Sequence, residues 1–304
     1  MCGIAGILYK NALLAGSLPI GEQLTKMLGA LRHRGIDSTG VTVAGQNIES
    51  DYVFRIWVDD NTSVPTAFAK VETIIKEQGA HVRFRTAVDR FLRLGLDYNG
   101  DVKDLANSIL GIAGTVIHSI GKNSEVVKDV GDAFRLDKKH AVSTMNGTHG
   151  IGHVRLATES QVDIVHSHPF WAYPFPDITL VHNGQLTNYH KMKRLFEQQG
   201  YRFQTHNDSE LIAVYLADKL KHGLTLKQAL MTSLDELDGT FTYLVSTPNG
   251  MGIAKDKWSA KPLVVMEADD VIAVASEEVA LRQVFPDEIE RLEPQENEVL
   301  TWSA

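Results

Sequence analysis

The single cysteine of this 304-residue chain stands at position 2, directly after the initiator methionine, in the sequence MCGIAGILYK. Removal of Met1 is expected before a residue as small as cysteine, and it would leave a thiol and a free α-amino group on the same residue. An N-terminal amine has a pKa of about 7.7–8.0, so near neutral pH part of it is uncharged and can accept the thiol proton. Cys2 is therefore a candidate nucleophile that carries its own base. The alternative is an incidental cysteine at the second position.

Other polar segments follow this terminus in a fixed order. After CGIAG the segments are RHRGIDSTG (32–40), GHVRLAT (152–158), HP (168–169), HNG (182–184) and NDSE (207–210). Together they resemble the class II glutamine amidotransferases, the amino-terminal-nucleophile hydrolases that release ammonia from glutamine, over about residues 2–45 and 147–285.

The resemblance implies an acyl-transfer centre. Cys2 would attack the side-chain amide of glutamine and form a thioester, which water later cleaves. The side-chain amide of Asn183 and the backbone N–H of Gly184 would stabilise the developing oxyanion. A plain Asn–Gly turn at the end of a strand is the alternative for these two residues.

The resemblance also implies charge partners for the amino-acid end of glutamine. Arg155 would bind the α-carboxylate, where a guanidinium can bond in a bidentate manner. Asp208 would bind the α-ammonium group. An Asp in the first turn of a helix also interacts favourably with the helix dipole without any ligand, which is the alternative for Asp208.

Further pocket residues follow from the same resemblance. Arg34 matches an arginine that shapes the pocket around the nucleophile, and its alternative is a solvated charge beside a turn. His168 stands where the family keeps a histidine near the glutamine loop, and we do not expect it to act as a base. Thr158 and His153 are expected to line the pocket.

A narrower resemblance links GTHGIGHVRLATES and HSHPFW to stand-alone amidotransferase subunits related to glutamate synthase, including the small subunit of N-methylglutamate synthase. It implies a hetero-oligomer in which a synthase subunit uses the ammonia. The chain has no Rossmann glycine fingerprint, P-loop or cysteine cluster, so we expect no cofactor in this chain and any flavin or iron–sulfur cluster on the partner. The long segment 47–147 is a candidate docking surface.

Two other functions stay open from the sequence. One is a non-catalytic glutamine-binding or scaffold subunit, although the nucleophile, the oxyanion donors and both charge partners are present together. The other is a hydrolase of a different γ-glutamyl amide, since Arg155 and Asp208 would bind the amino-acid end that such substrates share.

These residues need elements to position them. Apolar residues predict a buried strand at Cys2–Tyr9 and a helix at 21–32. Helices are also predicted at 64–79, 101–114 and 188–199, with Gly200 as a C-cap. Asn207 and Glu210 have the spacing of an N-cap and its N3 partner, which predicts the polar start of an amphipathic helix. The last eighty residues alternate as strands do.

Together these elements predict one α/β domain over residues 2–304 with an insertion at about 47–147. The resemblance implies a four-layer αββα sandwich, an α+β fold in which two antiparallel sheets lie between helix layers.

Composition excludes several classes of function. The net charge is −8 and no basic run occurs, so the sequence predicts no basic surface that would bind nucleic acid. One cysteine argues against a disulfide scaffold or a zinc ribbon. No apolar stretch approaches the roughly 20 residues that span a bilayer, and no basic region opens a signal peptide. We expect a cytoplasmic protein without a membrane or nucleic-acid partner.

Overall fold

The computed structural model describes residues 2–157, 162–285 and 290–304. Within them the strands are β1 (Gly3–Tyr9), β2 (Ser38–Ala44), β3 (Tyr52–Val58), β4 (His81–Val88), β5 (Phe91–Asp97), β6 (Thr115–Gly121), β7 (Ser124–Val130), β8 (His149–Arg155), β9 (Phe170–Trp171), β10 (Thr179–Leu186), β11 (Gly239–Thr247), β12 (Gly250–Lys255), β13 (Val264–Glu267), β14 (Val271–Ala275), β15 (Arg291–Leu292) and β16 (Val299–Ser303).

The helices in the same ranges are α1 (Ala12–Ser17), α2 (Ile20–Ala30), α3 (Val64–Glu77), α4 (Val102–Leu110), α5 (Ala133–His140), α6 (Tyr189–Gln198), α7 (Asp208–Lys221), α8 (Leu226–Glu236) and α9 (Glu278–Leu281), with 3₁₀ turns at Arg32–Arg34 and Val142–Thr144. None of the helices in this described part of the chain combines the length and the apolar character needed to cross a bilayer. The predicted strand at the N-terminus and the predicted helices near 21–32, 64–79, 101–114 and 188–199 are all present.

Two antiparallel sheets form the centre of the fold. The first has the strand order β15-β13-β14-β1-β8-β2-β7, and the second has the order β16-β12-β11-β10-β9. Their facing sides share one apolar layer, to which β1 contributes Ile4 and Leu8 while β10 and β11 contribute Val181 and Leu244. All four side chains are fully buried.

Helices cover the outer side of each sheet. On the first sheet, Leu24 and Met27 of α2 pack against Ile7 of β1 in one core cluster. On the second sheet, α7 and α8 pack against β10 and β11 in another. The result is the predicted four-layer αββα sandwich with antiparallel sheets.

Helix α7 differs from the sequence-based prediction of an amphipathic helix. Nine consecutive residues, Ser209–Ala217, are buried. The helix lies on β9 and β10 and is flanked by α6 and α8, so no side of this stretch faces solvent. A helix apolar on all sides is typical of a position inside a core. This burial holds the first turn of α7 firmly against the second sheet.

The long segment between β2 and β8 divides into two parts. Its first part forms a third antiparallel sheet with the order β4-β5-β3-β6, which shares an apolar core with α3 and α4 that Trp171 and Tyr173 complete. Its second part returns to the sandwich, where β7 pairs with β2 along seven residues and α5 packs beside α2. The part that stands outside the sandwich is therefore residues 52–121, shorter than the predicted insertion of 47–147. We call residues 52–121 the accessory layer.

Candidate active site

The N-terminal strand sets the position of Cys2. Strand β1 lies between β14 and β8 in the first sheet, with Gly3 opposite Val154 and Ile4 opposite His153. This pairing places Cys2 beside the end of β8, where the backbone N–H of Leu156 donates to its Sγ at 3.4 Å. The thiol is partly exposed, so it can meet a ligand.

Arg34 holds the same terminus from the opposite side. It lies in the 3₁₀ turn that follows α2, and only 7% of it is exposed. Its Nε donates to the carbonyl oxygen of Cys2 at 2.8 Å, and its Nη1 forms an ion pair with Glu277. Partial burial alone would raise the pKa of Glu277, but Arg34 and His33 outweigh that effect and lower it. Arg34 is therefore a buried, paired group, and the alternative of a solvated charge is wrong.

Asn183 and Gly184 lie inside a strand, so the alternative of a plain Asn–Gly turn is wrong. Strand β10 continues through both residues and pairs Gly184 with Phe241 of β11. Gly184 has a φ of +143°, and a Cβ there would lie 2.0 Å from the carbonyl oxygen of Thr240. The pairing with β11 therefore overrides the local turn preference. Asn183 Nδ2 donates to the carbonyl oxygen of Cys2 at 3.3 Å, which brings the predicted oxyanion donor to the predicted nucleophile.

The start of α7 carries Asp208 to the edge of β10. The side chain of Asn207 caps the helix by accepting from the backbone N–H of Ser209 at 2.9 Å, as predicted. Asp208 Oδ2 accepts from the backbone N–H of Leu186 at 2.9 Å. Burial alone would raise the pKa of Asp208, but His182 and these backbone donors lower it, so the carboxylate stays charged.

Glu210, the predicted N3 partner of Asn207, does not complete a capping box. The carboxylate of Glu210 accepts from the backbone N–H groups of Gln204 and Thr205 at 2.7 and 2.8 Å instead of bonding back to Asn207. It therefore fixes the turn that precedes the helix rather than the helix cap itself.

A group of buried histidines connects these elements. His168 Nε2 and His182 Nδ1 lie 3.0 and 2.9 Å from the hydroxyl of Ser209. The rings of His153 and His168 meet edge to face, with centroids 4.1 Å apart. Burial lowers the pKa of His168 well below its ordinary value, so this side chain stays neutral. His168 thus lines the cleft as a buried, neutral side chain next to Ser209.

Lys128 of β7 fixes the segment that carries His168. Its Nζ donates to the carbonyl oxygens of Ser167 and Pro169 at 2.7 and 3.3 Å. Burial lowers the pKa of Lys128 to about 7. Sequence analysis missed this residue because a lysine in an alternating strand gives no sign that its amine is buried.

The residues enclose a cleft of about 600 Å³, large enough for an amino acid with room to spare. Eight of the nine predicted site residues line it, together with groups the sequence did not single out. The predicted residues are Cys2, Arg34, His153, Arg155, His168, Asn183, Gly184 and Asp208, and the added ones include Leu156, His182, Tyr189, His190, Ser209 and Lys261. His182 and Ser209 lie within the quoted HNG and NDSE motifs, which is the signal that could have found them.

Two predictions fall on parts of the chain outside the described residues. These are the pocket role of Thr158 and the removal of Met1. In the described ranges, no three His, Cys, Asp or Glu side chains converge as a metal site would require.

Solved structures share this architecture. The glutamine phosphoribosylpyrophosphate amidotransferase of B. subtilis matches 99% of this chain with a TM-score of 0.62 at 21% identity, and the chain covers 47% of that protein. A structure described as the allosteric regulatory enzyme of purine biosynthesis matches equally well, with a TM-score of 0.62 at 22% identity over 99% of this chain and 46% of its own. The fold of this chain is thus shared with about half of each of these two proteins.

Sequence relatives give the family. A glutamine amidotransferase domain family matches residues 153–283. A candidate glutamine amidotransferase of Methanothermobacter thermautotrophicus is 40% identical over 97% of this chain and 98% of its own length. The glutamine amidotransferase-like protein GlxB of Rhizobium meliloti is 35% identical over 99% and 98%. The chain belongs to the glutamine amidotransferase family.

Proposed function

We propose that this protein hydrolyses glutamine to glutamate and ammonia, with Cys2 as the nucleophile. One observation carries the proposal. Asn183 Nδ2 donates to the carbonyl oxygen of Cys2 at 3.3 Å, in a cleft that Arg155 and Asp208 also line. A nucleophile, an oxyanion donor and two opposite charges in one cleft match the chemistry of an amino-acid amide.

The reaction begins when the α-amino group of processed Cys2 takes the thiol proton and the sulfur attacks the carbonyl carbon of the side-chain amide. The negative charge on the carbonyl oxygen is stabilised by Asn183 Nδ2 and the backbone N–H of Gly184. The intermediate collapses as the C–N bond breaks, and the protonated amine returns its proton to the leaving ammonia. Water then attacks the thioester while the amine takes one of its protons. The C–S bond breaks to release glutamate, and the amine returns the proton to the sulfur of Cys2.

Substrate recognition uses the amino-acid end. In the proposal the Arg155 guanidinium binds the α-carboxylate of glutamine and the Asp208 carboxylate binds the α-ammonium group. Because Asp208 Oδ2 is bonded to the N–H of Leu186 in β10, this carboxylate is held in register with Asn183 and Gly184 in the same strand. Glutamine would thus be held at both charged groups while its amide reaches the thiol.

Ammonia released in this way needs an acceptor, and we infer a partner synthase subunit of the glutamate synthase or N-methylglutamate synthase kind. The accessory layer is the proposed docking surface, since its strands form a separate sheet outside the sandwich. Flavin or iron–sulfur chemistry would belong to the partner, and the complex would work in the cytoplasm. Pull-down of the native complex and mass spectrometry of its subunits test this part; recovery of the chain alone would contradict it.

The glutaminase proposal is tested by intact-mass measurement and by labelling with a chloroketone analogue of glutamine. We expect a mass that lacks Met1, a single adduct on Cys2, and release of glutamate and ammonia from glutamine. Cys2→Ala should abolish labelling and hydrolysis while its circular dichroism and melting temperature stay unchanged. A chain that retains Met1, or one that gives no adduct on Cys2, supports the alternative of a non-catalytic scaffold subunit instead.

A panel of γ-glutamyl amides tests the substrate. We expect glutamine to have the highest kcat/KM, and a faster N-substituted γ-glutamyl amide would favour the alternative hydrolase over the glutaminase.

A further inference from the structure

The side-chain amide of Asn183 is held at both ends. Its Nδ2 donates to the carbonyl oxygen of Cys2 at 3.3 Å, and its Oδ1 lies 3.1 Å from Nε2 of His153. His153 belongs to β8, which is hydrogen-bonded to β1 on one side and β2 on the other. Only 1% of His153 is exposed, and the ring of His168 packs against it edge to face. The donor to Asn183 therefore comes from a rigid part of the molecule.

Hydrogen-bonding chemistry fixes the orientation of this amide. A backbone carbonyl oxygen can only accept, so the Asn183 atom that faces Cys2 must be the nitrogen. The opposite orientation would place two oxygen atoms 3.3 Å apart with no hydrogen between them. Asn183 Oδ1 must then face His153, and because it also only accepts, Nε2 of His153 carries the hydrogen.

This orientation leaves one donor for a ligand. The Asn183 amide nitrogen carries two hydrogens, and the bond to Cys2 uses one of them. The second is available to the cleft that Asn183 lines. If the amide rotated by half a turn, an oxygen would take the place of this donor and would repel an oxyanion.

We propose that His153 is a positioning residue that fixes the Asn183 amide with its nitrogen towards the oxyanion. The inference rests on the proposed function, because it assigns a role within the same reaction. His153 does not touch the substrate amide in this account; it acts through Asn183.

The ionisation of His153 agrees with this role. Burial lowers the pKa of His153 to about 3, so the ring stays neutral throughout the physiological range. A neutral imidazole has one N–H, and here Asn183 Oδ1 fixes which nitrogen carries it. His153 therefore supplies a hydrogen bond without taking part in proton transfer.

The test compares variants of His153 and Asn183 in the processed, full-length protein. His153→Phe keeps the ring shape and removes the N–H, so we expect kcat to fall about 10- to 100-fold, less than the roughly 10²–10³-fold cost of deleting an oxyanion donor. KM should stay within about threefold, because the charge partners of glutamine are untouched. His153→Gln, whose amide nitrogen takes the place of Nε2, should recover most of kcat, whereas the shorter His153→Asn should not.

A double variant distinguishes a positioning role of His153 from a purely structural role. In His153→Phe with Asn183→Ala, we expect no further loss beyond Asn183→Ala alone, since His153 then has nothing to orient. Multiplicative losses, or a His153→Phe enzyme within threefold of wild-type kcat, would overturn the proposal. Should His153→Phe fail to fold, equal kcat values for the Gln and Asn variants would overturn it in the same way.

Two controls keep this result distinct from that of the proposed function. His149→Phe removes another buried histidine from β8, one whose Nε2 lies 2.9 Å from the Thr247 carbonyl oxygen, and it should lower stability but not kcat. Alkylation of Cys2 by iodoacetamide, which needs no oxyanion donor, should proceed at the same rate in wild type and His153→Phe. If wild type itself does not hydrolyse glutamine, the proposed function fails; if it does and the variants behave alike, only the role of His153 fails.

Discussion

Arg34 donates its Nε hydrogen to the carbonyl oxygen of Cys2 at 2.8 Å while its Nη1 pairs with Glu277. This carbonyl also accepts from Asn183 Nδ2, so two side chains that are distant in sequence meet at the backbone of the proposed nucleophile. A chain terminus is ordinarily frayed. These bonds, together with β1, convert it into a fixed part of the cleft.

Arg34→Met should therefore lower kcat by about 10- to 100-fold, the equivalent of a charge-assisted hydrogen bond worth about 1.5–3 kcal/mol. Steady-state kinetics and the rate of Cys2 alkylation measure the effect. Arg32→Met is the matched control, since the Arg32 side chain is 60% exposed and pairs with Asp132 at 3.1 Å. Equal kcat values for the two variants would show that Arg34 does not position Cys2.

Asp208→Asn should raise KM for glutamine about 10- to 100-fold with a smaller change in kcat, because it removes the charge that faces the α-ammonium group. The substituted amide oxygen can still accept from Leu186, so the helix start should stay in place. Glutaric acid monoamide has no α-ammonium group and serves as a control substrate. An equal rise in KM for both substrates would indicate general damage rather than loss of a charge partner.

Most of the residues that line the candidate site could be predicted from the sequence, because they contribute side chains that stand in recognisable motifs. Cys2, Arg155, Asn183 and Asp208 stand in short motifs, and the motifs predict their roles without any knowledge of distance. The backbone N–H of Leu156 that donates to the thiol could not be predicted in this way. Its position depends on the register between β1 and β8, to which the side chain of Leu156 gives no clue.

The sequence-based predictions failed where tertiary contacts override a local preference. Asn183 and Gly184 have the local signature of a turn, but pairing with β11 extends the strand through them. Helix α7 has a polar start, but its next residues are buried on all sides by elements distant in sequence. The predicted insertion of 47–147 includes strand β7, because no motif in the sequence shows that the chain returns to the first sheet there.

A buried ion-pair cluster joins the accessory layer to the sandwich, and it gives a stability prediction. Glu125 of β7 is 1% exposed and accepts from Arg55 and Arg93 at 2.7 Å. Burial alone would raise the pKa of Glu125, but the two arginines lower it. Glu125→Gln should therefore reduce the free energy of unfolding by about 3–5 kcal/mol, since it leaves two guanidinium groups without their carboxylate.

Urea denaturation at neutral pH measures this loss. Glu72→Gln is its control, because Glu72 and its partner Arg85 are each 44% exposed and such surface pairs contribute about 1 kcal/mol or less. A loss in Glu125→Gln no larger than in Glu72→Gln would contradict the role of the cluster.

Buried neutral histidines predict acid sensitivity of the fold. Burial lowers the pKa of His149 to about 4 and that of His153 to about 3, whereas an unfolded histidine has a pKa near 6.5. As the pH falls below about 6.5, the unfolded chain binds protons that the folded chain does not, so the free energy of unfolding decreases. Each such histidine contributes a slope of up to about 1.4 kcal/mol per pH unit below about pH 5.5, and the slope from His149 decreases as the pH approaches its folded pKa of about 4.

Thermal melts between pH 7 and 4 measure this slope, and His149→Gln should make it shallower by removing one titrating group. An unchanged slope in His149→Gln would show that other groups control acid unfolding.

Gly184→Ala should damage the candidate site by disturbing the pairing of β10 with β11. The residue has a φ of +143°, and an added Cβ would lie 2.0 Å from the Thr240 carbonyl oxygen, so β10 and β11 would have to separate there. Because the backbone N–H of Gly184 is the second proposed oxyanion donor, we expect kcat to fall at least about 10²-fold.

Gly200→Ala is the control that distinguishes backbone strain at the substituted residue from displacement of its neighbours. Gly200 also has a positive φ, +87°, but no atom lies within 4 Å of the added Cβ. It should cost about 1 kcal/mol of stability with normal kcat. If Gly184→Ala also retained its kcat, the oxyanion would not be bound at this point of the strand.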